Sequence, residues 1–355
     1  MFETFSIITF LFAFKDVIVK NKNKIFIPLI ILFFLIIFDG LRWEMGTDWQ
    51  NYMDNFNAID NNFSSGFEIG FEYYTYLIKI ITDNYSIYLF ITTLLIYIGI
   101  FLPFLNLTKF NLISFFLLLS SICWYSSSLR QMMACIFLSF SFTYIFNRKL
   151  LYFTIIITIG SFFHSSLLFM FPFYFLYGIS NKSLFFIIIS IFLLSYLIGP
   201  LLKTLESIIQ IIQPGKDLMS RLDDKLDTNK ILGYGRKIYT ILGFYFFYSI
   251  NKTNKTDKKI TFFLHVSYFS FILYYLGVNY ISILASRLDI YIAIISTSIL
   301  AGLIGNSLPT KKHKIIFFFF ITSLVIIYYL RLEFMDLFHP YSSIFYNYNY
   351  NRKLY

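Results

Sequence analysis

The chain has 355 residues, of which 58% are hydrophobic, 22% aromatic and only 14% charged, with a formal net charge of +10. A soluble domain averages roughly 45–50% apolar and about 25% charged residues, so this composition excludes an ordinary soluble protein and predicts a polytopic membrane protein. The surplus of positive charge does not argue for a nucleic-acid partner; in a membrane chain it reports basic cytoplasmic loops.

The expected fold class is all-α: an integral membrane helical bundle of about 10–13 transmembrane helices with external loops, forming one domain over residues 1–355. A spanning helix needs about 20 apolar residues, with about 17–25 tolerated. Candidate spans lie near 2–19, 24–40, 85–106, 110–128, 130–147, 150–164, 165–179, 183–202, 237–250, 260–278, 286–307 and 315–332. The first carries Lys15 and Asp16. The N-terminus has no basic leader region and no small-residue cleavage site, so no signal peptide is expected. Cys123 and Cys135 both fall in apolar runs and read as small buried hydrophobes, without metal-ligand spacing or a disulfide framework.

Positive charge orients these spans. One set of alternate loops holds Lys15, Lys20, Lys22, Lys24, Lys109, Arg148, Lys149, Lys182, Lys252, Lys255, Lys258, Lys259, Lys311, Lys312 and Lys314, which is fifteen basic residues. The opposite short loops and the tail hold seven: Arg42, Lys79, Arg130, Arg287, Arg331, Arg352 and Lys353. The positive-inside rule puts the first set in the cytoplasm. Segment 40–84, Arg130, His164, Arg287, the C-terminal segment and the loop 203–237 are then expected outside.

Segment 40–84 is the densest in chemistry. Gly40 to Tyr52 contains Arg42, Trp43, Glu44, Gly46, Thr47, Asp48, Trp49 and Tyr52, directly after an apolar run. Further on, Phe67 to Ile81 mixes Glu68, Glu72 and Lys79 with apolar residues, the pattern of an amphipathic helix at the outer interface. Arg130 and Gln131 open the span at 130–147, after Ser126–Ser128. A charge at a bilayer centre costs about 2.5–3.5 kcal/mol on the gentler scale, and near a helix end it either snorkels or serves a ligand. Three arginines at external ends, Arg42, Arg130 and Arg287, suggest an anionic ligand, since the guanidinium fork suits phosphate oxygens. His164, in Phe163-His164-Ser165, sits in a tight reversal and is a candidate general base; His339 is a second candidate on the same side. Glu44 and Asp48 could each orient or deprotonate a hydroxyl, or pair with Arg42. The loop 203–237 carries Pro214, Gly215, Gly233 and Gly235 around Arg221-Leu-Asp-Asp-Lys225, which reads as a charged external cover or lid. No internal repeat, GxGxxG, Walker loop or HExxH is present, so ATP-driven transport and zinc hydrolysis lose support.

Taken in order, these residues resemble the EpsG branch of Wzy-type polysaccharide polymerases. Arg42, Gly46-Thr47-Asp48, Asn51-Tyr52 and Glu68-Ile69-Gly70-Phe71 resemble its N-terminal signature. Arg130-Gln131 and Phe163-His164-Ser165 resemble two later motifs, and Ser286-Arg287-Leu288 and Pro340-Tyr341 weaker C-terminal ones. The short charged first span and the long loop at 203–237 depart from the pattern.

The resemblance implies a membrane glycosyltransferase of the bacterial cytoplasmic membrane, with its active site facing outside. Its partners would be polyprenyl-diphosphate-linked oligosaccharides, the lipid bilayer, and a chain-length regulator or flippase; no cofactor is expected and no residue is assigned to a metal. In that reading Arg42, Arg130 and Arg287 hold the leaving diphosphate. His164, Asp48 or Glu44 handles the acceptor proton. Trp43, Trp49, Tyr52, Gln131 and Tyr341 contact glycan, with interface anchoring an equal alternative for the aromatics. The rival readings are a flippase or transporter of lipid-linked sugars, a glycan ligase and a membrane O-acyltransferase. Against transport, the charged residues gather at one face, whereas transporters tend to carry inverted repeats and helices broken near the midplane.

Overall fold

A computed structural model of the chain describes residues 2–18, 26–46, 48–59, 66–109, 111–125, 128–191, 193, 230–250, 257–280, 288, 290–329 and 341–345. Every regular element among them is helical, and one isolated antiparallel bridge pairs Arg42 with Ser343. The chain is an all-α polytopic membrane protein. Among the described residues, Tyr85–Thr108, Leu129–Phe146 and Lys258–Leu276 are long and apolar enough to cross a membrane, and shorter apolar helices accompany them.

Residues 1–171 and 298–355 form one compact unit. It contains α1 (Phe2–Ile18), α2 (Phe26–Gly40), α3 (Trp49–Ala58), α4 (Ile69–Ile81), α5 (Tyr85–Thr108), α6 (Leu112–Tyr125), α7 (Leu129–Phe146) and α8 (Leu150–Ser161), followed by a 3₁₀ turn, Ser165–Met170. The α5 helix packs between α2 and α7, while α1 lies against α6 and the late helix Lys311–Tyr329. Local chemistry explains the helix ends. Asn84 caps α5 by accepting from the Ser86 N–H at 2.8 Å, and Lys109 closes it in the left-handed conformation. The core is aromatic and aliphatic: Phe10 meets Phe318 with ring centroids 5.1 Å apart, and Phe101 meets Phe115 at 5.0 Å. The outer faces are equally apolar; Phe26, Phe33 and Leu29 of α2 are exposed. Such a surface would aggregate in water and costs nothing against lipid tails.

Residues 172–297 form a second unit, with α9 (Phe173–Leu176), α10 (Asn181–Ile191), α11 (Lys230–Ile250), α12 (Lys258–Tyr280) and a π-turn, Ile292–Ser296. Here α11 pairs with α12. His265 on α12, set aside by its position in an apolar span, has its Nε2 2.9 Å from the Asn181 Oδ1. Beyond this unit lie α13 (Thr297–Ser307) and α14 (Lys311–Tyr329).

Two expectations are corrected. The span at 165–179 is not one helix: the chain makes the 3₁₀ turn and then the single turn of α9, interrupted by Pro172 and ended near Gly178, whose φ is +88°. Proline removes a backbone donor and the left-handed glycine breaks helical continuation. The loop at 203–237 also ends earlier than expected, because residues 230–237 are already helical in α11. Gly233 is a packing position instead of a breaker; a Cβ there would run into the Tyr274 hydroxyl. Residues 203–229, with Arg221 to Lys225, lie outside the described residues.

Candidate functional site

Two arginine-centred clusters occupy the first unit. The first is built where α2 ends. Asp39 closes the helix, and Arg42, three residues on, turns its Nη1 back onto the Asp39 carboxylate at 2.6 Å and its carbonyl at 2.9 Å. The pair is sealed: side-chain exposure is 2% for Arg42 and 3% for Asp39. Residues 341–345 hold this turn from outside. The Trp43 N–H donates to the Ser342 carbonyl at 3.1 Å, the Ile344 N–H to Leu41, the Ser342 hydroxyl to Trp43, and the Tyr341 hydroxyl to the Phe38 carbonyl at 2.8 Å. Burial and the Asp39 charge push the Tyr341 phenol up to about 12, against the pull of Arg42.

From this turn α3 leads to the second cluster. Trp43 sits edge-on to Trp49 at 4.9 Å, and Trp49 to Tyr85 at 5.4 Å. Tyr52, one turn along α3, packs on Phe67 and Phe71, and its hydroxyl accepts the backbone N–H of Arg130 at 3.4 Å. Burial pushes the Tyr52 phenol up to about 12; Asp48 adds to the rise and Arg130 opposes it. Tyr52 is therefore a neutral phenol at physiological pH.

Arg130 is the centre of this second cluster. Its Nη1 meets the Glu68 Oε2 at 2.6 Å, and its guanidinium lies 4.2 Å from the Phe67 ring centroid. The other Glu68 oxygen accepts from the Ser165 N–H at 3.2 Å, with the Ser165 hydroxyl at 3.4 Å. The side chains are open to solvent, 21% for Arg130 and 18% for Glu68, and the buried Arg130 Nε has no hydrogen-bond partner. Burial would raise the Glu68 pKa, but the Arg130 charge, the Ser165 N–H and His164 outweigh it and hold the carboxyl below its ordinary value of 4.5. Glu68 is a fixed anion and a poor proton acceptor.

Gly70 makes this meeting possible. Its N–H donates to the Phe162 carbonyl at 2.9 Å, and a Cβ at Gly70 would sit 2.8 Å from that same oxygen. Only glycine lets the start of α4 approach the α8 exit so closely. At that exit His164 is 4% exposed and heads the 3₁₀ turn. Its Nδ1 accepts from the Ser166 N–H at 3.3 Å, with the Ser166 Oγ at 2.7 Å. A backbone N–H can only donate, so Nδ1 faces it as the acceptor and Nε2 is the ring nitrogen left to carry a hydrogen. In this tautomer His164 presents Nε2 as a hydrogen-bond donor.

Other expected contacts sort by burial. Trp49 and Tyr52, at 3% each, and Gln131, at 4%, are packed inside; they do not offer open faces to a sugar. Gln131 follows Arg130 by one residue, about 100° around the helix, which turns it into the core. Tyr341 fixes the arginine turn. Trp43 and Asp48 are half-buried, and Glu44 is exposed with φ +51°. Arg287, Thr47 and His339 lie outside the described residues. Sequence reasoning overlooked two carboxylates as arginine partners. Glu68 stood inside the Glu68-Ile69-Gly70-Phe71 motif, which was the available signal; Asp39 had only its i,i+3 spacing to Arg42.

A family model described as the EpsG family matches residues 24–350. No curated protein and no solved structure matches the chain.

Proposed function

The chain belongs to the EpsG family, of Wzy-type polysaccharide polymerase-like membrane proteins, and from this premise we propose that it joins lipid-linked oligosaccharide repeat units. The observation that carries the reading is that Arg130, Glu68 and the His164–Ser165 turn, up to 97 residues apart in sequence, converge on one partly solvent-open cation–anion cluster. The donor is a glycan on a polyprenyl diphosphate. An acceptor hydroxyl oxygen of the next unit attacks the anomeric carbon, the bond from that carbon to the diphosphate oxygen breaks, and its electron pair leaves with the diphosphate. The acceptor proton passes to a base.

Arg130 takes the leaving diphosphate. Its guanidinium is partly open to solvent, and Glu68 with the Phe67 ring holds the fork in place, which is the preorganisation that charge stabilisation needs. His164 donates from Nε2 to a substrate oxygen. Asp48, half-buried and close enough to act on Tyr52, is the carboxylate we assign as base. The reaction faces outside the cytoplasmic membrane in this reading: the cluster is at the Tyr85 end of α5, whereas Lys109, Arg148 and Lys149 follow the other ends of α5 and α7, and basic loops favour the cytoplasm.

Purified protein incubated with purified lipid-linked repeat units is expected to yield a ladder of longer lipid-linked glycans. If the units remain single while moving between leaflets of a vesicle, the protein is a flippase; if they pass to a different acceptor, it is a ligase. Either result ends the polymerase assignment.

A further inference from the structure

The far end of the first unit holds a cleft that the polymerisation reading does not use. It has a volume of about 280 Å³ and is lined by the last turn of α1, the start of α6 and the 305–314 turn, including Asp16, Asn111, Asn306, Thr310, Lys311 and Lys314. Its floor is an amide network. Asn111 Nδ2 donates to Asn306 Oδ1 at 2.9 Å, and Asn306 Nδ2 donates to the Thr108 carbonyl, the last of α5, at 2.7 Å. The 24 residues of α5 put roughly 36 Å of helix between this floor and the Tyr85 end.

Lys311, Lys312 and Lys314 stand in the first turn of α14 with no acidic residue among them. A helix N-terminus carries partial positive charge, so cations belong at the other end. Three lysines at the wrong end repel the helix's own N–H groups and one another. No hydrogen bond or ion pair holds the Lys311 or Lys314 ammonium groups among the described residues. Thr310 caps the His313 N–H at 3.3 Å. An anion in the cleft would relieve both conflicts. Asp16 is the one acidic group among the described residues that line it, against two lysines.

We propose that this cleft binds a phosphate ester, through Lys311 and Lys314 and with Asn306 and Thr310 as neutral partners. Its position at the basic end, where the positive-inside rule puts the cytoplasm, makes the headgroup of an anionic phospholipid and a free phosphate the two sources of that chemistry. The site is independent of the polymerisation reading.

The test uses full-length protein in nanodiscs of zwitterionic phosphatidylcholine, in the same discs containing phosphatidylglycerol, and in phosphatidylcholine discs with inorganic phosphate added. Thermal midpoint and lipid retained in native mass spectrometry are read for wild type, for Lys311→Gln/Lys314→Gln, and for Lys258→Gln/Lys259→Gln as a control removing equal charge from α12. Glutamine is as good a helix former as lysine, so the cleft variant should fold and match wild type in phosphatidylcholine. The anion is expected to raise the wild-type midpoint. The cleft variant should lose the rise and bind the anion about tenfold more weakly or worse, while the control keeps it. A rise with phosphatidylglycerol alone assigns the lipid headgroup; one reproduced by inorganic phosphate assigns a soluble ligand. Equal losses in both variants, or no rise in wild type, overturn the proposal.

Discussion

Arg42 and Arg130 look alike in sequence: each sits at the end of an apolar run, on the same expected side, beside aromatic residues. Their settings differ in access and partner distance. Arg42 pairs with a carboxylate three residues away, at 2% exposure, under a flap of residues 341–345. Arg130 pairs with a carboxylate 62 residues away, at 21% exposure, against an aromatic ring. A sealed local pair can only organise the backbone around it. An open pair assembled from distant segments can exchange part of its hydrogen bonding for a ligand. The same side chain is thus a structural bolt in one place and a candidate substrate clamp in the other.

Substitution of Arg130 gives the widest separation. Arg130→Ala is expected to abolish long-chain polysaccharide while the protein level holds and lipid-linked single units accumulate, scored by gel profile and immunoblot. Arg130→Lys should restore little, because a point charge cannot reproduce the fork. Arg42→Ala should act the other way round. Removing one partner of a buried pair costs about 3–5 kcal/mol, so the protein level and thermal midpoint should fall, and polymer should decline only as the protein does. A stable, fully expressed Arg42→Ala protein without polymer would move Arg42 into the site and erase the contrast. A smaller effect is expected for Gly70→Ala. The added Cβ meets the Phe162 carbonyl at 2.8 Å, an overpacking that costs about 1–3 kcal/mol. It should pull Glu68 away from Ser165 and shorten the polymer ladder more than it lowers protein level.

The contrast between the arginines was only half legible in the sequence. Apolar run length gave the helices 85–108 and 129–146 nearly to their ends, because every backbone group in a bilayer must bond within its own segment. Motif order gave Arg130 and His164 as neighbours in function. Neither signal reveals which carboxylate an arginine takes, since Glu68 reaches Arg130 only after α4 docks on the α8 exit through Gly70. The tautomer of His164 was equally hidden: it follows from the Ser166 N–H, a feature of a 3₁₀ turn where the hydropathy pattern suggested a new span. The burial of Trp49 and Tyr52 was hidden too, because aromatic residues serve packing, interface and sugar alike and sequence does not say which face is covered.

The finest distinction between the two pairs is their response to acid. Glu68 has its carboxyl held below 4.5 in the folded chain by Arg130, the Ser165 N–H and His164, against the opposing effect of burial. A depressed folded pKa contributes stability that is complete above the unfolded value and disappears as pH falls through the folded one. From neutral pH down to about 5 the Glu68 contribution should therefore stay constant, and it should fade only below about 4.5. The difference in thermal midpoint between wild type and Glu68→Gln reads this directly. Glutamine keeps the shape and one oxygen for Ser165 but loses the charge that faces Arg130. The gap should be small, since the pair is partly open and screened, flat across the neutral range and narrowing in acid. A gap that instead narrows between pH 7 and 5 would mean that Glu68 takes up a proton there, and Glu68 would then replace Asp48 as the base of the reaction.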